Sequence, residues 1–442
     1  MVELCVLSSL PMGVEWQRRR DQRGKIWYIR GDDLAAVQKW SGKSVADMNH
    51  RDFKEKCAWF RQQMERLRVP WNENHSDLKL RRDHFTFDSF NIVEKLDQRG
   101  MRSNFRFEIA NETKLSDDAG GVTREWFEIM TKEVFDANKG LFKFGDSGDL
   151  RYQINELSGL LNPQHKNWFH FTGRMMGKAL FDGMALSAPL VRSLYKHLLR
   201  SPVTVEDLKT QDPTEYNSLV YMRDNPIENI LFETFTVLQD RLGEQVEVEL
   251  VPGGKEKDVT DENKEEYMKL KVQYMVYLCK KEQIERFLSG FWEVVPCDLM
   301  QVFTADELEQ VMCGIPKIDI KDWQDHTFYA GRLSPSHEVV RWFWAYLEAC
   351  EDKKRSQILQ FITASSVVPV EGFKGLQGSR GDACPFTIEN VDYTNSSGQG
   401  LQLPKAHTCF NKLDLPLYPS EDILVKSFDT AIDVECVGFH HE

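Results

Sequence analysis

The chain has 442 residues, of which 41% are hydrophobic and 28% charged; this is ordinary globular composition with material for roughly two to four domains. Its formal net charge is −13, offset only by short basic runs at 18–20 and 79–82, which argues against nucleic-acid binding because phosphate affinity comes from clustered Lys and Arg, and favours a protein partner with a basic face. No apolar run approaches the roughly 18–20 residues of a membrane span, the N-terminal stretch is too short and too acidic for a secretory leader, and nine scattered Cys without C-x-x-C spacing read as reduced thiols of a cytoplasmic or nuclear protein.

In chain order, residues 10–40 are dense in aromatics and charges, with Trp16, Trp27, Tyr28 and Trp40 and a turn signal at 21–24; they predict a small sheet module. The spacing of Phe53, Cys57, Phe60, Met64 and Leu67 predicts a helix over 51–67, with Asn49 as N-cap and Asp52 in the first turn. Val69-Pro70 ends it. From about 84 to 330 helices alternate with short strands. Trp126, Phe127, Met130, Val134 and Phe135 suit one buried helical face, and Phe169, Met175, Met176, Ala179 and Leu180 another. Between Val246 and Leu250 the pattern alternates like a strand, and Pro252-Gly253-Gly254 then turns the chain. The breaker-rich segment Tyr329-Ala330-Gly331-Arg332-Leu333-Ser334-Pro335 is the expected interdomain linker. A helix carrying Val340, Phe343, Trp344 and Leu347 restarts after it. The last helix is expected from Ser420, with Leu424, Phe428 and Ala431 inward.

The segment Leu403-Pro404-Lys405-Ala406-His407-Thr408-Cys409-Phe410-Asn411 follows a Gly/Ser-rich loop and precedes a strand with Leu413 and Leu415 on one face and Lys412 and Asp414 on the other. Cys409 thus sits where a loop meets a strand, a position able to present a thiol. By spacing alone, a Cys beside a Phe is more often a small buried hydrophobe than a nucleophile. A phosphatase-type loop needs an Arg shortly after the Cys, where Leu415 stands, and a papain-like site needs a distant His and Asn. His407 and Cys409 cannot by themselves complete a four-ligand zinc site, so neither metal nor cofactor is expected.

The stretch LPKAHTCFNKLDLP strongly resembles the active-site segment of HECT-type ubiquitin ligases. So do DDAGGVTREWFEIM, LNPQHKNWFHFTGRMMGKALFDG, CGIPKIDIKDW, VVRWFWAYLE and LQFITASSVVPVEGF, from about residue 75 to the C-terminus. The resemblance is closest to the WW-domain-containing branch, and RDFKEKCAWFRQQM is similar to the segment joining the last WW domain to the catalytic domain there. It implies an α+β bilobal fold: a mainly helical N-lobe at 75–331 with a small subdomain at 208–291 that binds the conjugating enzyme, a hinge near 328–335, and a small α/β C-lobe at 332–442. A degenerate WW-like module at 10–41 and a linker helix at 42–74 precede it, and the start so near that module suggests a short form or a fragment.

The implied activity is acceptance of ubiquitin from a conjugating enzyme as a thioester on Cys409 and its transfer to a substrate lysine, in the cytoplasm and toward proteasomal degradation. A thiol-for-thiol exchange is close to thermoneutral and needs positioning more than force, so no triad is required. His407, Lys405 and Lys412 are placed to favour the thiolate, or His407 is a structural hydrogen-bond partner; Thr408 is placed to orient the thioester carbonyl. In the second step an amine must lose a proton, and by resemblance Asp118 is the carboxylate that gathers it; otherwise it is a turn residue before Gly120-Gly121, with Asp117 beside it. Phe439, fourth from the end, is expected to anchor the tail so that Glu442 reaches the site, or else to pack on the preceding helix.

The resemblance also points to Leu219, Met222, Phe232 and Phe287 for the conjugating enzyme, each of which is either a surface anchor or core. The family's Tyr pair before GLF is replaced by Asn138 and Lys139, which puts the non-covalent ubiquitin site in question. In the WW-like module Tyr28 and Trp40 would form the groove for a proline-rich substrate. However, Val14 is inserted, Gly31-Asp32-Asp33 stand where His and Thr belong, and Trp40 comes two residues late, so the module is a ligand groove or a structural cap. Leu415-Pro416-Leu417-Tyr418 is similar to a WW ligand or is a strand end. A non-catalytic ligase-like scaffold binding partners through this module is the rival reading.

Overall fold

The structure is a computed structural model that describes residues 16–20, 26–30, 44–109, 121–145, 151–228, 230–241, 243–314, 318–365, 367–369, 371–376, 384–393 and 402–438, with the backbone alone at 16–20, 26–30, 121, 409 and 433–438. These residues form two compact units. One takes Met1–Leu67, Lys132–Lys178 and Ala188–Glu309; the other takes Arg68–Thr131, Ala179–Ser187 and Gln310–Glu442.

In the first unit, strands Trp16–Arg20 and Ile26–Arg30 pair antiparallel. The expected turn at 21–24 lies outside the described residues. The helix Phe53–Leu67 buries Cys57, Phe60, Met64 and Leu67, the face its spacing predicts. Its cap differs from expectation. Asp52 accepts from the Glu55 amide at 2.9 Å, whereas Asn49 closes the short preceding helix Val45–Met48. The reason is local: Ser44 and Asp47 form a capping box that starts that earlier turn, leaving Asn49 at its end. Phe60 packs edge-on to Phe303, centroids 5.3 Å apart, and the buried Lys56 amine pairs with Glu307 at 2.9 Å, as a buried charge must.

The helices His165–Asp182 and Lys281–Val294 meet backbone to backbone in this unit. A Cβ on Gly173 would fall 2.0 Å from the Phe287 carbonyl, and one on Gly290 2.0 Å from that of His170. Only glycine permits this approach. Beyond them the hairpin Thr236–Arg241 with Glu244–Glu249 turns at Gly243, φ +92°. Val246, Val248 and Leu250 are half-buried while Glu247 and Glu249 are exposed, as the alternation predicts.

His197, on the helix Arg192–Leu198, is buried and bonds through Nε2 to the Val276 carbonyl at 3.3 Å. Burial is the dominant cause holding it neutral, with its pKa lowered from 6.5 to about 4. The unfolded chain therefore binds the extra proton first as pH falls. Stability should drop as pH goes from about 6.5 toward 4 and level off below, by on the order of 3 kcal/mol from this group. Melting temperatures across that range should show the fall, and His197→Gln should flatten it; an unchanged slope in the variant would remove His197 as its source.

In the second unit, the parallel strands His75–Leu80 and Asn104–Ile109 bury Leu78, Leu80, Phe105 and Phe107. Trp126, from the helix Gly121–Phe135, packs edge-on to Phe105 at 5.8 Å and donates its indole N–H to Ser89 Oγ at 2.9 Å, so the buried ring leaves no donor unmet. All five residues expected on the inner face of this helix are buried, as are the five expected on His165–Asp182.

The C-terminal part of this unit is a four-stranded sheet in the order Lys405–His407, Lys412–Pro416, Thr387–Val391, Phe328–Ala330. The first pair is antiparallel and the others parallel. Its core joins Leu413, Leu415 and Ile388 to Val340, Phe343 and Leu347 of the helix Glu338–Ala349 and to Leu424, Phe428 and Ala431 of the helix Glu421–Gly438. Trp323 is fully buried in the same core, stacked on Phe373 at 4.6 Å and 12°. The segment expected as a linker at 328–335 thus begins as an edge strand of this sheet. Ile318 and Trp323 also belong to its core, so the α/β module draws on residues well before 332. Pairing and burial outweigh the breaker signal, and Gly331 at φ +69° only turns the chain after the strand. Leu415, Pro416 and Tyr418 are buried as well, a strand end rather than an offered ligand.

Candidate active site

Cys409 lies on the one-turn 3-10 helix Thr408–Phe410, between the strands Lys405–His407 and Lys412–Pro416. Leu413 and Leu415 anchor the second strand in the core, which fixes where the turn emerges. Asn411 closes the turn in the left-handed region at φ +46°, its amide donating to the Thr408 carbonyl at 3.3 Å. Asn is among the few residues besides Gly that adopt this conformation at low cost. Buried, it also donates Nδ2 to the Cys384 carbonyl at 2.7 Å and accepts from the Thr387 amide at 3.0 Å.

Arg124, on the helix Gly121–Phe135, completes the cradle. Its Nη1 donates to the carbonyls of Thr408 and Thr363, each at 3.0 Å, and to Asn411 Oδ1 at 2.9 Å. The peptide preceding Cys409 is therefore held by a guanidinium. The rim is open beside it, with Phe410 58% exposed. His407 is exposed and donates Nε2 to Asp414 Oδ2 at 2.7 Å. Lys412 pairs with Asp414 at 3.2 Å and with Glu389. Burial works to raise the Asp414 pKa, but the hydrogen bonds from His407 and Lys412 prevail and hold it below the usual carboxylate range. The Glu389 hydrogen bond is the largest cause raising Lys412. His407 is thus the hydrogen-bond partner of Asp414, and Lys412 is shared between Asp414 and Glu389. Cys384 donates its thiol to the Phe410 carbonyl at 3.2 Å, and burial pushes its pKa up, so it is a poor competing nucleophile.

The other expected site residues divide clearly. Asp118, Phe439 and Trp40 lie outside the described residues, and Tyr28 has only its backbone described, in the strand Ile26–Arg30. Of the four residues expected to meet a conjugating enzyme, Leu219, Met222 and Phe287 are fully buried and offer no docking surface. They are core because the helices Pro213–Asp224 and Lys281–Val294 turn them inward. Phe232 is the exception, 90% exposed. Asn138 and Lys139 are exposed on a 3-10 turn, the one bonded to Asp136 and the other to Glu133. Arg124, Asn411 and Asp414 were not singled out for roles by sequence reasoning. The position of Asn411 just after the turn was the available signal for its conformation. Among the described residues no cluster of His, Cys, Asp and Glu is arranged for a metal ion, and no helix is long and apolar enough to cross a membrane.

A family model described as HECT-domain (ubiquitin-transferase) matches residues 128–442. The chain is 36% identical over 437 residues to the E3 ubiquitin-protein ligase Nedd-4 of Drosophila melanogaster, covering 96% of this chain and 42% of that protein. It is 37% identical over 443 residues to the E3 ubiquitin-protein ligase RSP5 of Saccharomyces cerevisiae, covering 99% and 52%. To pub1 of Schizosaccharomyces pombe, also an E3 ubiquitin-protein ligase, it is 35% identical, covering 99% and 55%. The chain spans about half the length of the curated relatives it matches.

Proposed function

The chain belongs to the HECT-domain (ubiquitin-transferase) family, and from that premise we propose that it is a ubiquitin ligase that carries ubiquitin on Cys409. In the first step the Cys409 thiolate attacks the carbonyl carbon of the thioester between ubiquitin and a conjugating enzyme. The new C–S bond forms as the enzyme's thiolate leaves. In the second, a substrate lysine attacks the Cys409 thioester, an amide forms, and the Cys409 thiolate is released while Asp118 takes the ammonium proton. The observation carrying this reading is the Cys409 turn, which belongs to the matched region and has an exposed Phe410 and His407 on either side. Thr408 orients the thioester carbonyl, and Phe439 anchors the tail on the loaded lobe. The lobe that carries Cys409 moves about the segment following the sheet's edge strand, which brings Cys409 first to the conjugating enzyme and then to Asp118.

The docking face on the first unit is built on Phe232, with Ile230, Leu238 and Tyr221 also exposed; a fully exposed aromatic fits an interface anchor. Phe232→Ala is expected to raise the concentration of conjugating enzyme needed for half-maximal loading about tenfold, with little change at saturation. A titration of loading rate checks this, and an unchanged half-point would move the docking face elsewhere. The substrates are cytoplasmic proteins destined for proteasomal degradation, and those with proline-rich segments are held by Tyr28 and Trp40. The test of the whole reading is a non-reducing gel of the chain with ubiquitin, activating enzyme and conjugating enzyme. A thiol-sensitive adduct supports it; no adduct with any competent conjugating enzyme would return the chain to the scaffold reading.

A further inference from the structure

Arg124 makes contacts that neither thioester formation nor substrate docking accounts for. One side chain holds three separate pieces of backbone and side chain. These are the Thr363 carbonyl at the end of the helix Asp352–Thr363, the Thr408 carbonyl immediately before Cys409, and Oδ1 of the buried, left-handed Asn411 immediately after the turn. All three contacts are made by one nitrogen, Nη1, whose two N–H groups are shared among three acceptors, and the guanidinium keeps its charge there. The helix that carries it begins at Gly121, three residues along the chain from Asp118. The loop bearing the nucleophile is therefore tied to the element that directly follows the segment of the acid. Phe232 and the other exposed residues of the docking face belong to the other unit and take no part in this network.

We propose that Arg124 is a positioning residue for the lysine-transfer step, latching the backbone on both sides of Cys409 to the helix that follows Asp118. The inference rests on the ligase reading above. Loading needs Cys409 to meet the conjugating enzyme, which the latch does not touch. Transfer needs the backbone on both sides of the thioester to be held still while the amine attacks, and that is the backbone Arg124 grips. A misplacement of about 1 Å at such a point costs up to about 100-fold in rate.

The experiment separates the steps with the full chain. The thioester adduct is loaded in a single turnover, the conjugating enzyme is quenched, and free lysine is added. For Arg124→Ala, loading is expected within about threefold of the unsubstituted chain, while discharge to lysine slows roughly 10- to 100-fold. Arg124→Lys, which keeps the charge and places a nitrogen with three N–H donors on a shorter fork-less side chain, should recover part of the discharge rate, and a melting curve of each variant confirms that it is folded under the assay conditions. A purely structural role would depress both steps together and would not be relieved selectively by Lys. Equal losses in loading and discharge, or no loss in discharge, would overturn the proposal. Absence of any adduct in the unsubstituted chain would instead remove the ligase reading, and this proposal with it.

Discussion

Replacing Cys409 by alanine is expected to abolish the ubiquitin adduct entirely and leave the fold intact. The turn Thr408–Phe410 is closed by Asn411 and held by Arg124 through backbone and Asn411 atoms, and both supports remain in the variant. What is lost is the sulfur proposed to form the covalent bond. Thiol exchange proceeds through direct attack of a thiolate on the acyl carbon. Cys409→Ser sharpens the result: it should give, at a much lower rate, an oxyester that survives thiol reagents and is cleaved by alkali. The readout is the non-reducing gel together with a melting curve. An adduct that persists in Cys409→Ala and vanishes in Cys384→Ala would transfer the role to Cys384, against the burial that raises the pKa of that thiol.

The second large effect concerns Asp118. Asp118→Asn should load ubiquitin at the parental rate and then discharge it to lysine roughly 100-fold more slowly, the size expected of a lost general base. The sign of the pH dependence is fixed. A free lysine amine has a pKa of about 10.4, so its neutral fraction grows as pH rises from 7 to 9, and the deficit of the variant should shrink across that range. Discharge of preloaded adduct, followed at several pH values, measures it. A deficit in loading of the same size, or one that does not narrow with pH, would mean that Asp118 shapes the loop and does not receive the proton. Asp118 and Arg124 then form a matched pair of tests. Both should spare loading, but only the Asp118 deficit should be relieved by alkaline pH.

The chain's own pattern made a large part of the fold legible. The inner faces of Phe53–Leu67, Gly121–Phe135 and His165–Asp182 follow from spacing, as does the alternation of Leu413 and Leu415 against Lys412 and Asp414. These are local matters, because a helix or strand that must bury one face writes its period into the residues. The proposed nucleophile was a different case. Spacing left Cys409 as one thiol among nine, and the long ordered motifs around it singled it out.

Other features depended on neighbours in space. Leu219, Met222 and Phe287 read the same as Phe232 in sequence, since periodicity gives the apolar side of an element but not whether another element covers it; three are covered and one is bare. The breaker segment at 328–335 reads as a linker because Gly and Pro mark turns, yet Phe328–Ala330 pairs with Thr387–Val391, residues far along the chain. Likewise Asn49 lost its expected role to Asp52 because the preceding turn had its own cap.

The sequence by itself determined which residues turn inward on each element, and its motifs carried the chemistry of the turn that holds Cys409. The tertiary structure alone decided what surrounds that turn: the guanidinium of Arg124 and the pairing of His407 with Asp414. The physical reason is range. Periodicity and capping act over a few residues, whereas Arg124 meets Thr408 across a separation of 284 positions, and no local signal encodes a contact that only the packed chain creates.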